Sequence, residues 1–200
     1  HIRVLVETPD YLVVDKPAGL VSCGDPKSVE MALRIQTRIP TIEAVHRLDR
    51  ETSGIMMVAK SAEVQEYFRS NWNELTEKTY LARVRGHLEA KEGSFESYLA
   101  EDQKTLKVRS VKNPKFGKYS KTLYRVLSED GGTSLVEVRL KSGRKNQIRV
   151  HFAESGHPVV GDSRYGSDDR GPLLLHAWRL AFIHPHTRKR MVFGAPSKLG

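Results

Sequence analysis

The sequence has a single cysteine, Cys23, which excludes an internal disulfide and any zinc site built on cysteine pairs. It also lacks long hydrophobic runs: its longest apolar stretches, such as 55–59 and 173–175, are far shorter than the ~20 residues of a transmembrane helix. No basic segment followed by an apolar stretch opens the chain, as a secretory signal would. We therefore expect a cytoplasmic protein that is not attached to a membrane.

The composition is that of a globular protein, with 38% hydrophobic and 28% charged residues among 200. This length predicts a single domain over residues 1–200, with a monomer as the default. The 33 Lys and Arg residues outnumber the 24 Asp and Glu residues, giving a formal net charge of +9. Such an excess favours a polyanionic partner, because cations that neutralise phosphates release counterions. A basic surface that serves only solubility is the alternative.

Hydrophobic periodicity predicts many strands and about three helices. Strands are predicted at 11–15, 55–59, 79–84, 173–183 and 190–193, and several more between 94 and 140 with a hairpin turn at 130–132. Helices are predicted at 28–38, 61–75 and 145–154. The fold class that follows is α+β, with a mixed, mostly antiparallel β-sheet core and flanking helices.

The segment HRLDRETSG, residues 46–54, connects a predicted helix to a predicted strand. Its carboxylate, Asp49, lies between Arg47 and Arg50, whose charges should keep it ionised. The small residues that follow favour a turn that holds Asp49 by short-range hydrogen bonds. This pattern predicts either a functional carboxylate or an ordinary turn aspartate paired with its neighbours.

Two further segments carry candidate functional groups. Tyr80 enters a predicted strand after Glu77-Lys78-Thr79, where its ring can stack on a flat base or face the core. Arg144, Lys145 and Arg149 lie in the first turn and a half of the last predicted helix. Cations there oppose the helix macrodipole, so we expect an anionic partner, either RNA phosphate or a buried carboxylate.

The eight histidines raise the question of a metal site. His184 and His186 are spaced to share one face of a strand, but no HExxH motif, cysteine pair or acidic cluster accompanies them. The sequence therefore predicts no metal.

Five segments, in this order, resemble the RluA-type pseudouridine synthases. They are YLVVDKPAGL at 11–20, HRLDRETSG at 46–54, EKTYLARVRG at 77–86, SGRKNQIRVHFAESGHPVVGD at 142–162, and LLLHAWRLAFIHP at 173–185. The resemblance covers nearly the whole chain. It implies the catalytic fold of pseudouridine synthases and the isomerisation of specific uridines in structured RNA, with rRNA or tRNA stem-loops as substrates.

The resemblance also implies roles for individual residues. Asp49 is the expected nucleophile, Tyr80 is expected to pack on the target base, and Arg149 is expected to form an ion pair with Asp49. Arg47 is expected to fill the gap left by the flipped nucleotide, while Arg144 and Lys145 are expected to contact RNA. The reaction changes no oxidation state and transfers no external group, so no cofactor is expected.

The chain departs from the family pattern in two places. Asn146 stands where the family commonly has histidine, which puts the detail of the site in doubt. No small N-terminal S4-like RNA-binding domain is present, and the chain starts at His1 rather than methionine, so we expect either a short family member or a trimmed one. A catalytically silent RNA-binding module and a metal-dependent nuclease are the competing functions.

Overall fold

A computed structural model describes residues 1–166 and 170–199 of the chain. These residues form two units. The first comprises His1–Lys78 and His176–Lys198, and the second comprises Thr79–Leu175 together with Leu199. The expectation of a single domain over residues 1–200 stays a prediction. Among the described residues, no helix has the length and apolar character needed to cross a bilayer.

The first unit contains a sheet whose strands follow the order β1, β2, β4, β10, with β11 added beside β10 and β3 beside β4. The pairing of β4 with β10 is parallel, while the β1–β2, β2–β4, β3–β4 and β10–β11 pairings are antiparallel. The strand bounds are β1 Arg3–Glu7, β2 Tyr11–Lys16, β3 Glu43–Ala44, β4 Ser53–Ala59, β10 Leu175–Ile183 and β11 Arg190–Gly194.

The core of the first unit lies against β2 and β4, which are almost entirely buried. Their β-branched and other apolar residues, such as Val13 opposite Met57, pair in register along six positions. The ring of Phe182 packs edge-on against Tyr11 at 5.2 Å and Phe68 at 5.6 Å, so helix and sheet share one aromatic cluster.

Three helices belong to the first unit: α1 Val29–Thr37, α2 Ala62–Ser70 and α3 Trp72–Leu75. The Ser28 side chain caps α1 by accepting the Met31 N–H, as predicted. The continuous helix predicted at 61–75 is wrong, because the chain leaves helical geometry at Asn71. Asparagine competes with helical hydrogen bonding and favours helix ends, which accounts for the break.

The second unit contains a sheet in the order β5, β9, β8, β6, β7. Its elements are β5 Thr76–Arg85, β6 Glu92–Glu101, β7 Val108–Val111, a 3-10 turn Pro114–Phe116, β8 Lys118–Asp130, β9 Thr133–Leu140 and α4 Gln147–Glu154. The predicted hairpin turn is confirmed, since Asp130 pairs with Thr133 across two glycines. The α+β class with a mostly antiparallel sheet is likewise confirmed.

The core of the second unit forms between this sheet and α4. Ile148 and Phe152 of α4 pack against the buried residues of the strands, including Val84, Val136 and Val138. Ile148 and Phe152 of the helix therefore face the sheet. Their packing fixes the positions of the polar residues that lie between them in the sequence, Arg149 and His151.

Candidate active site

The buried side-chain amine of Lys16 helps to hold the loop that carries Asp49. That amine donates to three backbone carbonyl oxygens, those of Pro17 at 2.9 Å, Leu20 at 2.7 Å and Arg50 at 3.0 Å. An ammonium group has three donors and no acceptor, so this cradle satisfies it completely. The bond to Arg50 ties the residue after Asp49 to the end of β2.

The Lys16 amine interacts electrostatically with the acidic residues of the Asp49 loop. Burial lowers the pKa of Lys16 to about 8, while the negative charges of Glu51 and Asp49 oppose that shift. At neutral pH the amine therefore stays mostly protonated. A buried positive charge then lies close enough to Asp49 to interact with its carboxylate.

Backbone and hydroxyl bonds hold the same loop at two further points. The Ser22 hydroxyl donates to the Leu48 carbonyl at 2.8 Å and accepts the Leu48 N–H at 3.0 Å. The Gly19 N–H donates to the Arg50 carbonyl at 2.7 Å. The residues immediately before and after Asp49 are thus both anchored to the segment that follows β2, leaving the half-buried Asp49 between two fixed points.

His46 begins the same loop as a neutral side chain. Its Nε2 accepts the Met57 N–H at 2.9 Å, and its ring stacks on Trp72 with centroids 4.3 Å apart. Burial, followed by the positive charge of Lys78, lowers the pKa of His46 to about 3. A protonated ring has no lone pair for the Met57 N–H, so the loop requires the neutral form.

The last two residues of the HRLDRETSG segment, Ser53 and Gly54, contact β10 rather than Asp49. The Ser53 hydroxyl bonds Nδ1 of His176 at 2.8 Å, and Nε2 of that ring contacts the Ala195 carbonyl oxygen at 3.1 Å. Because a carbonyl only accepts, Nε2 carries the proton and Nδ1 accepts from Ser53. At Gly54 the backbone has φ +121°, and a Cβ would lie 2.1 Å from the Ala177 oxygen, so only glycine fits.

In the second unit, Arg149 makes a buried two-point ion pair with Asp162. Its Nε and Nη2 donate to the two carboxylate oxygens of Asp162 at 3.0 and 2.8 Å. The side chains are 7% and 0% exposed, so this pair lies out of solvent. Asp162 is the buried carboxylate that the cations of this segment led us to expect. The ion pair between Arg149 and Asp49 stays a prediction.

Asp162 and Tyr165 form a support around Arg149. Asp162 also accepts the backbone N–H groups of Arg164 and Tyr165, which fixes its carboxylate. The Tyr165 ring lies 5.3 Å from the Arg149 guanidinium, and its hydroxyl accepts the Asn146 side-chain amide at 2.7 Å. The roles of Asp162 and Tyr165 were not predicted, although Asp162 ends the GHPVVGD segment and Tyr165 follows it three residues later.

The predicted start of the last helix is wrong by two residues. Helix α4 begins at Gln147, and Asn146 precedes it in a left-handed conformation with φ +56°. Arg144 and Lys145 therefore lie before the helix and do not oppose its dipole. Lys145 instead pairs with Glu101 at 2.6 Å, and Arg144 donates to the Tyr119 carbonyl at 3.2 Å.

The remaining predicted residues are divided between the units. Tyr80 is half-buried on β5, and its ring packs against the core cluster of the second unit. Arg47 is exposed beside Asp49 in the first unit. The first unit thus brings together Asp49 and Arg47, and the second contains Tyr80, Arg144, Lys145 and Arg149.

The histidine pair does not share a strand face as predicted. His184 and His186 follow the end of β10, where Nε2 of His186 lies 3.0 Å from a carboxylate oxygen of Asp10. Within residues 1–166 and 170–199, no three His, Cys, Asp or Glu side chains are grouped as metal ligands would be.

Comparison with known proteins identifies the family. A family model described as RNA pseudouridylate synthase matches residues 10–154, well over half of the chain. The chain belongs to the RNA pseudouridylate synthase family. It is therefore an enzyme of the isomerase class, as its sequence predicted.

Relatives and solved structures agree with this assignment. The dual-specificity RNA pseudouridine synthase RluA of Vibrio parahaemolyticus is 37% identical over 195 residues, which cover 91% of this chain and 78% of that protein. RluA of Yersinia pestis is 35% identical over 202 residues, covering 96% and 95%. The structure of human RNA Pseudouridylate Synthase Domain Containing 1 has a TM-score of 0.84 and 26% identity, covering 98% of this chain and 84% of that one.

Proposed function

We propose that this enzyme isomerises specific uridines of structured RNA to pseudouridine, with Asp49 as its nucleophile. The observation that carries the proposal is the anchored Asp49 loop in a chain of this family. Leu48 and Arg50, on either side of Asp49, are both fixed, and the buried Lys16 amine interacts with the carboxylate. Preorganised groups of this kind require no rearrangement when the reaction occurs.

The chemistry needs a nucleophile but no external reagent. The bond between N1 of uracil and C1′ of ribose breaks, and a bond between C5 and C1′ forms. The C5 proton is lost to solvent and N1 gains one, so atoms and electrons balance without a cofactor or a metal. A carboxylate is a suitable covalent nucleophile for this exchange, as it is in glycosidases. Attack at the sugar and attack at the base are both compatible with Asp49.

Each remaining residue has a role in this proposal. The target uridine must leave the RNA stack, and Arg47, exposed beside Asp49, would occupy the gap. Tyr80 would hold the detached base by stacking. Arg149 would pair with Asp49, and Asp162 would hold the guanidinium of Arg149 in place. Arg144 and Lys145, both exposed, would contact RNA phosphates.

The RNA class follows from the names of the relatives. The Vibrio and Yersinia proteins are named dual-specificity RNA pseudouridine synthases. A Vibrio cholerae relative, 35% identical over 210 residues, is named a ribosomal large subunit pseudouridine synthase, and this chain covers 65% of its length. We propose rRNA or tRNA stem-loops as substrates, and a monomeric cytoplasmic enzyme.

The proposal is tested by tritium release from cellular RNA labelled at C5 of uracil. Ribosomal and transfer RNA are assayed separately, each with and without a chelator. We expect release by the native protein and by Asp25→Asn, an exposed loop control, but not by Asp49→Asn. Loss of release in chelator would indicate a metal-dependent reaction, and RNA binding without any release would indicate a silent binding module.

A further inference from the structure

One short segment carries most of the net charge of the chain. Residues 103–121, here called the basic hairpin, contain seven Lys or Arg residues and no Asp or Glu. The whole chain has a formal charge of +9, so only two net positive charges remain for all other residues. A surface kept basic for solubility normally mixes both signs, and this segment does not.

The basic hairpin is a formed structure with an open edge. Its strand β7 pairs with one side of β6 and is the last strand of the sheet of the second unit, while the start of β8 pairs with the other side of β6. The Asp102 carboxylate accepts the N–H groups of Lys104 and Thr105 at 2.8 Å each, closing the turn before β7. Asn113 closes the next turn by accepting the Lys115 N–H at 3.0 Å. The cations are therefore displayed on two ordered turns and an edge strand.

The cations of the basic hairpin are exposed, and acidic partners are scarce. Within the part of the chain that the structure describes, one of the seven makes an ion pair, Lys121 with Glu96 at 3.5 Å. The other six are exposed and make no ion pair with a described residue, although the charge of Arg109 acts on Asp102: Lys104, Lys107, Arg109, Lys112, Lys115 and Lys118. Outside the segment, other exposed cations do meet carboxylates, as Arg190 meets Glu77 at 2.9 Å. Six exposed like charges within one short segment favour an anionic partner.

Exposed aromatic rings lie among these cations. Phe116, at the end of the 3-10 turn, is 72% exposed, and Tyr119 at the start of β8 is 47% exposed. An exposed phenylalanine gains nothing from burial in the fold. Cations interleaved with exposed rings suit an RNA with unpaired bases, because phosphates meet the charges and bases stack on the rings.

The basic hairpin adjoins residues already assigned to RNA. Arg144 donates to the backbone carbonyl of Tyr119 at 3.2 Å, and Lys145 donates to that of Leu106 at 3.3 Å. The two cations that precede α4 are thus attached to the two ends of the basic hairpin. Arg144 and Lys145 thus adjoin the cations of the basic hairpin, while Lys145 also pairs with Glu101.

We propose that the basic hairpin is an RNA-binding surface, which grips the phosphate backbone of the substrate and stacks Phe116 on an unpaired base beyond the modified uridine. This inference rests on the proposed function for its choice of RNA over other polyanions. The surface contributes affinity and substrate choice, and it takes no part in the chemical step.

The charge contribution is tested by filter binding of fragmented total cellular RNA at 50 to 300 mM salt. The test protein carries Lys112→Gln, Lys115→Gln and Lys118→Gln. The control carries Arg3→Gln, Arg38→Gln and Arg69→Gln, three exposed cations of the first unit. We expect the test protein to bind about tenfold or more weakly near 100 mM salt, with the slope against log salt reduced by about 2. Equal losses in both proteins would overturn the proposal.

The stacking contribution is tested with Phe116→Ala against Ile35→Ala. The two side chains are 72% and 73% exposed, so neither variant should alter the fold. We expect about five- to tenfold weaker RNA binding for Phe116→Ala and no change for Ile35→Ala. Unchanged RNA binding by Phe116→Ala would contradict base stacking. So would an equally large loss of binding when duplex DNA of the same length as the RNA replaces it as the probe.

Turnover separates this inference from the proposed function. Under saturating RNA, the triple lysine variant should release tritium at the native rate. If the native protein releases no tritium but RNA binding still depends on the basic hairpin, the surface is supported and the isomerase proposal fails. If tritium is released but RNA binding does not depend on the basic hairpin, the isomerase proposal is supported and the proposed surface fails.

Discussion

The loop around Asp49 and the helix around Arg149 are held by different kinds of bonds. In the first unit, Lys16 and Ser22 bind backbone atoms of the loop, so its path depends on the segment that follows β2. In the second unit, Arg149 is held by the side chains of Asp162 and Tyr165. The Asp49 loop is therefore fixed mainly through its backbone, whereas the Arg149 guanidinium is fixed through the side chains of its neighbours.

The largest effect is expected from Arg149→Ala, which leaves the Asp162 carboxylate buried without its cation. We expect a loss of about 3–5 kcal/mol in the free energy of unfolding, measured by urea denaturation, together with loss of activity. Arg144→Ala, an exposed arginine of the same segment, should cost less than about 0.5 kcal/mol. The double variant Arg149→Ala with Asp162→Ala should lose less unfolding free energy than the sum of the losses in the two single variants. Strict additivity would mean that the pair is not coupled.

A smaller effect is expected from Lys16→Met, which removes three hydrogen bonds to carbonyl oxygens. We expect a loss of about 2–3 kcal/mol, because three hydrogen bonds from a charged donor are lost, although the Arg50 carbonyl still accepts the Gly19 N–H. Hydrogen exchange should accelerate most at residues 46–52, and activity should fall with it. Lys27→Met, an exposed lysine of the same unit, is the control. Unaltered exchange in the loop would show that Lys16 does not hold it.

The pH dependence of stability tests the environment of His46 in the first unit. The pKa of His46 is about 3 in the folded protein and near 6.5 when unfolded, so the unfolded chain binds more protons between these values. The contribution of His46 to the free energy of unfolding is therefore fully present above pH 6.5. It is lost as the pH falls toward 3, and the loss is roughly 1–2 kcal/mol for this partly buried ring.

The same measurement in His46→Gln isolates the contribution of this residue. Its amide oxygen can still accept the Met57 N–H, but it does not titrate. Thermal unfolding between pH 4 and 7 should then depend less steeply on pH. Burial also lowers the pKa of His151 in the second unit, so some dependence of the same sign should persist. A slope identical to that of the native protein would rule out His46 as a source.

The smallest effect is expected from Asn146→His, which restores the residue commonly found in the family. The backbone there has φ +56°, a conformation that both Asn and His tolerate better than most residues. We expect stability within about 1 kcal/mol of the native protein and tritium release within about threefold. Asn146→Val, β-branched at a positive φ, should lose about 1–2 kcal/mol by urea denaturation. Equal stabilities would show that the left-handed geometry is not required.

The sequence predicted the elements whose signals are local. The strands at β2 and β4, the Ser28 cap and the Asp130–Thr133 hairpin follow from short-range patterns, and the HRLDRETSG segment marked Asp49. The partner of Arg149 could not be found this way, because Asp162 is thirteen residues further along and meets it only in the folded protein. The break at Asn71 was missed because apolar spacing continues through it to Trp72 and Leu75.

Lys16 shows the same limit in another form. Its position before Pro17 marked a turn, but nothing in the sequence shows that its amine is buried beneath three carbonyls. Long-range pairing of side chains depends on tertiary contacts, and a single sequence contains no direct record of them.

The role of Asp49 is tested most directly by single-turnover tritium release by Asp49→Asn, with RNA binding and thermal unfolding measured on the same preparation. We expect the rate to fall by at least about a thousandfold, while the RNA affinity and the unfolding temperature stay close to those of the native protein. This result would place the chemistry on Asp49. Release at a rate near that of the native protein would contradict the assignment of Asp49 as the nucleophile.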